Sequence, residues 1–383
     1  MNRILYITRG GAISGSQRQL LYLIERLDRN IYEPIVVCNK GGALADTLQK
    51  MNIEVIVRPL HPWRKLLTAI PRYIGVWYLC NLAAQRDISL IHCCDLWMSG
   101  YMHQVLKKWK VPSILHVRRP VTQRDVRKFD CDEADRVIAI STRITENLLS
   151  AGIPSEKIAR IDDSVDVELF SPERNTKNVL RDESSPADQI RIGIIGRIDG
   201  FKRQLDFLTA AREVLRQSKQ PLMFVVVGDI HSHAYFNKAQ KFVSKAGIEK
   251  YVRFTGRRDD IPAVMASLDI LVSLSGGSVM FEAMAAGKAV ISAGFSSRKY
   301  SYHIQDGKTG ILVESRETSD LAQAMIKLVD TPQLRNELGT QARQWAIKEL
   351  THTKMAAKTQ QLYDDLLNPK YPNDNQNHKH TDD

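Results

Sequence analysis

The chain has 383 residues, of which 43% are hydrophobic and 25% charged, a globular composition with enough apolar material for a sizeable core. This length and composition exclude a fibrous or intrinsically disordered protein and favour two domains. Lys and Arg outnumber Asp and Glu by 54 to 43, and the net charge of +11 favours an anionic partner such as nucleic acid, an acidic membrane surface or a phosphate-bearing ligand.

Short runs rich in Val, Ile and Leu recur in the first half of the chain. They predict strands at 3–8, 33–38, 53–58, 88–93, 113–118 and 136–141. Stretches with helical periodicity, such as 16–28 and 98–110, lie between them. This alternation predicts a parallel sheet covered by helices on both faces.

The polar segment 171–189 contains two prolines and predicts an interdomain connection. A second series of strand-like runs then occupies 190–196, 222–228, 252–256, 270–274, 289–293 and 310–313. We therefore predict two doubly wound, Rossmann-like α/β domains, 1–178 and 188–350, with a ligand cleft where the strand carboxyl ends face each other. The polar tail 368–383 is predicted to be disordered.

Targeting signals and cysteine spacing indicate the compartment. No apolar run approaches the about 18 to 20 residues of a membrane-spanning helix, and the start, MNRILYITRGG, indicates a strand rather than a signal peptide. The cysteines show no CxxC spacing and suit reduced thiols rather than a disulfide framework or a zinc site. They are Cys38, Cys80, Cys93, Cys94 and Cys131. We expect a cytoplasmic protein without a bound metal.

The segment GRIDGFKRQLDFL (196–208) follows a predicted strand and leads into an amphipathic helix. It puts Arg197 and Lys202 near a sheet end, where two cations could neutralise a departing nucleotide diphosphate. The alternative is two solvated loop charges, which only a second motif makes less favourable.

That second motif is SLSGGSVMFEAMAAG (273–287), a strand end, a glycine turn and a largely apolar helix. Its backbone at Gly276, Gly277, Ser278 and Val279 could approach an anion closely. Glu282 is the only charge of the helix and needs a partner, either two ribose hydroxyls or a basic side chain.

Two features of the first half could also carry function. The turn GGAISGSQRQL (10–20) includes Gly15 but lacks GxGxxG spacing, which argues against NAD binding. His116 lies near a strand end before Arg118 and Arg119, and a core histidine and a functional one remain equally favoured; Asp95 is a weaker, similar case.

Residues 61–79 combine Trp63, Tyr73, Trp77 and Tyr78 with three basic residues, a composition suited to an anionic membrane interface. A helix packed on the sheet, with its basic residues solvated, is the interpretation that we favour for this segment.

Taken together, the segments resemble the GT-B glycosyltransferases, in particular the retaining, nucleotide-sugar-dependent family 4 group. The segments that carry the likeness are the Gly-rich first loop, 134–172, GRIDGFK (196–202), 254–275, FEAMAAGKAVIS (281–292) and DGKTGILV (306–313). The resemblance implies transfer from a nucleotide-sugar donor to a polysaccharide, oligosaccharide or lipid-linked acceptor, without a metal cofactor, and peripheral contact with a membrane.

The resemblance also implies roles for single residues. Arg197 and Lys202 match the family's diphosphate ligands, Glu282 its ribose ligand, and the backbone of Gly276–Val279 its phosphate or sugar site. His116 matches a strand-end histidine near the transferred sugar. Arg257 would lie beside the base, and Gly15 would approach from the other domain. The final helix, near 351–367, would return to the first domain.

The sequence departs from the family at Leu274, where the E-x7-E signature has its first glutamate. This departure keeps open a catalytically silent sugar-nucleotide or glycan-binding protein of the same fold. A nucleotide-sugar epimerase and, from the net charge alone, a nucleic-acid-binding protein are less favoured alternatives.

Overall fold

A computed structural model describes residues 1–61, 63, 69–175, 177–182, 185–293 and 303–368. The chain forms two compact units. The first comprises Met1–Asp162 together with the chain from His352, and the second is Asp163–Thr351. Within the described ranges, no helix combines the length and the apolar character that crossing a bilayer requires.

The first unit is built on a parallel sheet. Its strands are β1 (Asn2–Thr8), β2 (Tyr32–Cys38), β3 (Glu54–Val57), β4 (Leu90–Cys93), β5 (Ser113–Val117), β6 (Arg136–Ala139) and β7 (Ile158–Arg160). They are ordered β3-β2-β1-β4-β5-β6-β7. Successive residues of β1 point to opposite faces, so Leu5 and Ile7 join one core cluster while Ile4 and Tyr6 join another. Burial on both faces explains the continuous apolar runs in the sequence.

Helices cover both faces of this sheet. They are α1 (Gly15–Glu25), α2 (Ala43–Lys50), α3 (Ala69–Gln85), α4 (Ser99–Leu106), α5 (Gln123–Phe129), α6 (Thr142–Ser150) and, from the end of the chain, α13 (His352–Leu367). Helix α13 packs against α1, and the ring of its first residue, His352, stacks on Tyr22 at 3.5 Å. Tyr363, near the other end of α13, is fully buried in the first unit's core.

The second unit repeats the architecture. Its strands are β8 (Ile190–Ile195), β9 (Leu222–Val227), β10 (Val252–Gly256), β11 (Ile270–Ser273), β12 (Ala289–Ala293) and β13 (Ile311–Val313). The parallel order is β10-β9-β8-β11-β12-β13. Its helices are α7 (Gln204–Gln217), α8 (His233–Lys245), α9 (Ile261–Ala266), α10 (Val279–Ala285), α11 (Thr318–Asp330) and α12 (Pro332–Glu349). The prediction of two doubly wound parallel α/β domains is confirmed.

The division between the units differs from the predicted one. Residues 163–178, which the sequence assigns to the first domain, belong to the second unit. The reason is burial, since Val165, Phe170 and Leu180 pack in the same cluster as Val264 and Ala283. Leu180 lies within the polar connection 171–189, whereas Val165 and Phe170 precede it, and the sequence does not show which sheet they pack against. Strand β7, three residues long, was also not predicted, and most of the tail predicted to be disordered lies outside the described residues.

Candidate functional site

In the second unit, the chain leaves β8 through a turn that only glycine fits well. Gly196 has φ of +150°, and a Cβ there would lie 3.1 Å from Cε of Lys202. The missing side chain lets the Lys202 stem run over the turn. Gln204, at the start of α7, donates a hydrogen bond of 2.8 Å from its side-chain amide to the Arg197 carbonyl, which fixes the loop against the helix.

Asp199 organises the two cations of this loop. Its Oδ1 atom accepts the Lys202 backbone N–H at 3.0 Å, and its carboxylate lies 3.4 Å from the Arg197 guanidinium. The residue is only 9% exposed, whereas the Arg197 side chain is 58% exposed. Asp199 was not predicted as a site residue, although its position between the two cations is the signal that could have identified it.

The Lys202 ammonium lies at the glycine turn that precedes α10. Its Nζ is 3.5 Å from the Gly276 carbonyl oxygen. Gly276 and Gly277 have φ of +71° and +106°, which favour glycine at both positions. Burial lowers the Lys202 pKa; Asp199 acts against this effect and Arg197 adds to it. The structure thus brings together Arg197, Lys202, Gly276 and Gly277.

Glu282 follows this turn on α10. It lies in the first turn of that helix, where its backbone N–H donates to the Ser278 carbonyl at 3.0 Å, so Ser278, Val279 and Glu282 share one short segment. Glu282 is half-buried on a helix whose Met280, Ala283, Met284 and Ala285 are buried, in agreement with the prediction of a largely buried helix. The residue is therefore partly exposed to solvent.

Leu274, the residue at the missing signature glutamate, has a different environment. It lies directly after β11, is 3% exposed and packs in the core cluster that includes Ile194 and Ile291. Its side chain therefore contributes to folding.

Arg257 lies apart from the Lys202 turn. It follows β10, which is the edge strand of the sheet and is separated from β8 by β9. Two strand spacings, together roughly 10 Å, therefore lie between β10 and β8. Its side chain is 73% exposed and is 3.2 Å from Asp259. The contacts of Arg257 therefore do not join it to the other predicted donor residues.

In the first unit, His116 ends a chain of buried polar side chains. The Tyr6 hydroxyl is 3.0 Å from that of Tyr363, which is 2.7 Å from His92 Nδ1, and His92 Nε2 is 3.4 Å from His116 Nδ1. Burial, reinforced by Arg118, lowers the pKa of His92 to about 3 and that of His116 well below its usual value. Both imidazoles are therefore neutral near neutral pH.

This chain of contacts determines which His116 nitrogen carries the proton. Its Nδ1 lies 3.5 Å from an Arg118 guanidinium nitrogen, which can only donate, so Nδ1 accepts and the proton is on Nε2. His116 Nε2 is buried and has no hydrogen-bond partner among the described residues. The contacts therefore favour the tautomer that carries its proton on Nε2. His92 and Tyr363 were not predicted, because the sequence gives no sign that a residue of the last helix meets β4.

Other polar groups lie at the same carboxyl edge of the first sheet. Asp95 forms an ion pair of 2.6 Å with Arg9 and accepts the Trp97 backbone N–H at 2.9 Å, which is a structural role. Gly15 begins α1, is exposed, and a Cβ there would meet no atom within 4 Å. The structure therefore gives no steric reason for glycine at position 15.

A cavity of about 260 Å³ opens at this edge of the first sheet. Its walls include Trp63, Trp97 and Phe129, with the last two rings edge to face at 5.1 Å. Lys128 holds its ammonium 5.1 Å from the Trp97 ring. A larger open cavity, about 980 Å³, lies at the amino-terminal ends of β5 and β6 and contains none of the predicted site residues.

Comparisons with known proteins agree with this architecture. Residues 13–169 match the family model described as Glycosyltransferase Family 4, and residues 176–345 match that of Glycosyl transferases group 1. D-inositol 3-phosphate glycosyltransferase of Corynebacterium aurimucosum is 23% identical over 86% of this chain and 85% of its own. N-acetyl-alpha-D-glucosaminyl L-malate synthase of Bacillus anthracis is 24% identical over 85% of this chain and 78% of its own.

The fold also matches a solved structure. The crystal structure of Anabaena HepE in complex with UDP and glucose has a TM-score of 0.80 and 22% identity, covering 96% of this chain and all of that one. At this identity the likeness concerns the fold.

Proposed function

Because this chain belongs to the family 4-like GT-B glycosyltransferases, we propose that it transfers a sugar from a nucleotide-diphosphate donor to a polysaccharide, oligosaccharide or lipid-linked acceptor, with retention of configuration. Polysaccharide or cell-envelope assembly is the setting that such acceptors imply. The two relatives named above carry different acceptors in their names, inositol 3-phosphate and malate, so the proposal keeps the acceptor class broad.

The observation that carries the proposal is the Lys202 ammonium at the glycine turn. A partly desolvated cation 3.5 Å from the Gly276 carbonyl, with a lowered pKa, gains most from an anion that lies in the same turn. The backbone N–H groups of Gly276–Val279 can approach such an anion closely because Gly276 and Gly277 carry no Cβ. A donor diphosphate fits these requirements.

In the proposed reaction, charge grows on the leaving diphosphate as the bond to the sugar breaks. Lys202 acts as a point charge and Arg197 as an exposed, planar fork, and both stabilise that charge. We propose that transfer therefore needs no metal ion, and that activity survives chelation. Glu282 would accept hydrogen bonds from the donor ribose, and the exposed Arg257 would lie nearer the base.

The first unit would contribute the sugar and acceptor side. The Nε2–H of His116 is oriented by a buried network, and we propose that it donates to a sugar or acceptor oxygen when the substrate displaces the groups that now cover it. Gly15 would allow a substrate to approach the start of α1. We also propose peripheral contact with an anionic membrane, which a lipid-linked acceptor would require.

The deciding experiment combines binding with turnover. Thermal shifts with UDP, GDP, ADP, TDP and their sugars should identify one donor, since a ligand that binds only the folded state raises apparent stability. Lys202→Ala should weaken binding of that nucleoside diphosphate by about 10- to 100-fold, the loss expected for a charged hydrogen bond. Lys219→Ala, at an exposed lysine before β9, is the matched control and should bind normally.

The outcomes separate the alternatives. Unchanged nucleotide affinity in Lys202→Ala would reject the assignment of this turn as the diphosphate site. Donor binding without transfer or hydrolysis of any radiolabelled donor would favour the alternative of a catalytically silent binding protein, which is suggested by Leu274 in place of the signature glutamate. Transfer that stops on chelation and returns with a divalent cation would reject metal independence.

A further inference from the structure

Helix α3 is apolar on its exposed face as well as on the face that is buried in the first unit. The sequence AIPRYIGVWYLCNLAAQ (Ala69–Gln85) contains no acidic residue and one arginine. One face is buried through Gly75, Leu79, Leu82 and Ala83, and a Cβ at Gly75 would come within 3.0 Å of the Tyr101 ring. A surface helix of a water-soluble unit normally presents polar residues on its opposite face. In α3 that opposite face is apolar.

Four large apolar side chains form this outer face. Ile70, Tyr73, Ile74 and Trp77 are exposed by 76%, 69%, 46% and 55%. Their spacing of i, i+3, i+4 and i+7 aligns them along one side of the helix. We call these four residues the α3 stripe. Large apolar residues exposed as a continuous patch, rather than singly, mark an interaction surface.

The surroundings of the stripe are basic. The sequence has no Asp or Glu between Glu54 and Asp87, whereas Arg58 and Arg72 lie within that span. The Arg58 guanidinium lies 4.8 Å from the ring of Tyr78 on α3. Glu54, at the start of β3, is paired with Arg86 at 2.9 Å and so adds no free negative charge.

A second source of positive charge comes from the end of α4, which packs against α3. Lys107 and Lys108 are exposed there. The charge of Lys108 reaches α3, because it lowers the pKa of the Cys80 thiol, which burial raises overall. Arg58, Arg72 and Lys108 therefore add positive charge at or beside α3, so a partner of the stripe should be apolar and negatively charged.

We infer that the α3 stripe lies against an anionic membrane surface. Ile70 and Ile74 would enter the boundary of the acyl chains, Tyr73 and Trp77 would lie at the headgroups, where amphipathic rings are favoured, and the surrounding cations would meet lipid phosphates. The helix axis of α3, which is 17 residues long, would lie in the plane of the membrane surface. The inference deepens the proposed function by supplying a surface at which a lipid-linked acceptor is met, and only that purpose rests on the proposed function.

The test is co-sedimentation of the full chain with vesicles. We expect binding to vesicles that contain phosphatidylglycerol and little binding to vesicles of phosphatidylcholine alone, with a loss of binding as salt is raised from roughly 0.05 M to roughly 0.5 M. The double variant Ile74→Ser, Trp77→Ser should bind about tenfold more weakly or worse, since two apolar groups no longer enter the interface.

Ile347→Ser is the matched control, because Ile347 is 48% exposed on α12 of the second unit and should not alter vesicle binding. Both residues of the double variant are exposed, so its thermal unfolding should stay near that of the wild type. Equal binding of wild type and double variant, or no binding to anionic vesicles at low salt, would overturn the inference. A concentration-dependent dimer that the double variant abolishes would assign the stripe to a second copy instead.

Transfer to a soluble acceptor separates this inference from the proposed function. The double variant should transfer normally without vesicles, because the stripe contains no donor-site residue. If transfer is absent in every variant while anionic vesicles still bind the wild type selectively, the proposed function is wrong but the inference that the α3 stripe binds a membrane is supported.

Discussion

The Nδ1 atom of His92 lies 2.7 Å from the Tyr363 hydroxyl, and this hydrogen bond joins β4 to the last helix across 271 positions of the chain. Both side chains are almost completely buried. Because the Tyr363 hydroxyl also meets that of Tyr6, it satisfies two buried polar groups at once. The helix that ends the chain is thus held in the first unit by a polar contact and by packing together.

Tyr363→Phe should destabilise the protein by about 1 to 3 kcal/mol, since it leaves the His92 nitrogen and the Tyr6 hydroxyl unsatisfied while removing little volume. Urea unfolding measures the loss. Tyr73→Phe, at a ring that is 69% exposed, should change stability by less than about 0.5 kcal/mol. Equal stability of wild type and Tyr363→Phe would mean that water replaces the hydroxyl in this network.

His92 and His116, two of the five buried histidines among the described residues, predict how stability depends on pH, and His103, whose pKa burial also lowers, acts in the same direction. Burial and, to a lesser extent, the Arg118 charge hold the pKa of His92 at about 3 and that of His116 well below its usual value. In the unfolded chain both imidazoles have a pKa of about 6.5. Between these pH values the imidazoles are protonated in the unfolded state but not in the folded state. Their contribution to the free energy of unfolding is therefore complete above about pH 6.5 and is lost as the pH falls towards 3.

The free energy of unfolding should therefore fall between pH 7 and pH 5 by up to roughly 1.4 kcal/mol per pH unit for each histidine. Urea titrations in that window avoid most carboxylates, which titrate at lower pH. His116→Asn should reduce the slope, whereas His231→Asn, at an exposed position after β9, should leave it unchanged. A slope that is the same in all three proteins would show that His116 does not contribute to it.

Much of the fold was predictable, because strands buried on both faces of a parallel sheet leave unbroken runs such as Ile4–Ile7 in the sequence. The loop after β8 and the glycine turn before α10 were predictable as well, since Gly196, Lys202 and Gly276 are local signals of a strand end. The contact of His92 with Tyr363 was not, because it depends on where α13 packs. The assignment of Val165 and Phe170 to the second unit was not predictable for the same reason, since only tertiary packing reveals which core they join.

Glu282 provides a prediction about the ribose. If its half-buried carboxylate accepts ribose hydroxyls, the wild type should bind the preferred nucleoside diphosphate about tenfold or more tightly than the 2′,3′-dideoxy analogue. Glu282→Gln should bind the two ligands with nearly equal affinity. Isothermal calorimetry on both proteins measures the four affinities.

Glu337→Gln, at an exposed glutamate on α12, is the control and should keep the preference for ribose. If Glu282→Gln still discriminates between the ligands as the wild type does, the carboxylate has a structural role in α10. Loss of affinity for both ligands by the same factor would likewise separate Glu282 from the ribose hydroxyls.

The last prediction concerns the glutamate that the family signature has and this chain lacks. Leu274→Glu restores the signature letter for letter, yet position 274 is 3% exposed and lies within the apolar cluster of β8 and β12. A carboxylate there loses its hydration without gaining a charged partner, so we expect a loss of several kcal/mol of stability and no gain in transfer. Leu274→Met conserves volume and should cost less than about 1.5 kcal/mol. Thermal unfolding and donor turnover of the two variants decide the matter: a Leu274→Glu protein as stable as wild type, with faster transfer, would mean that the side chain at this position can reach the donor sugar.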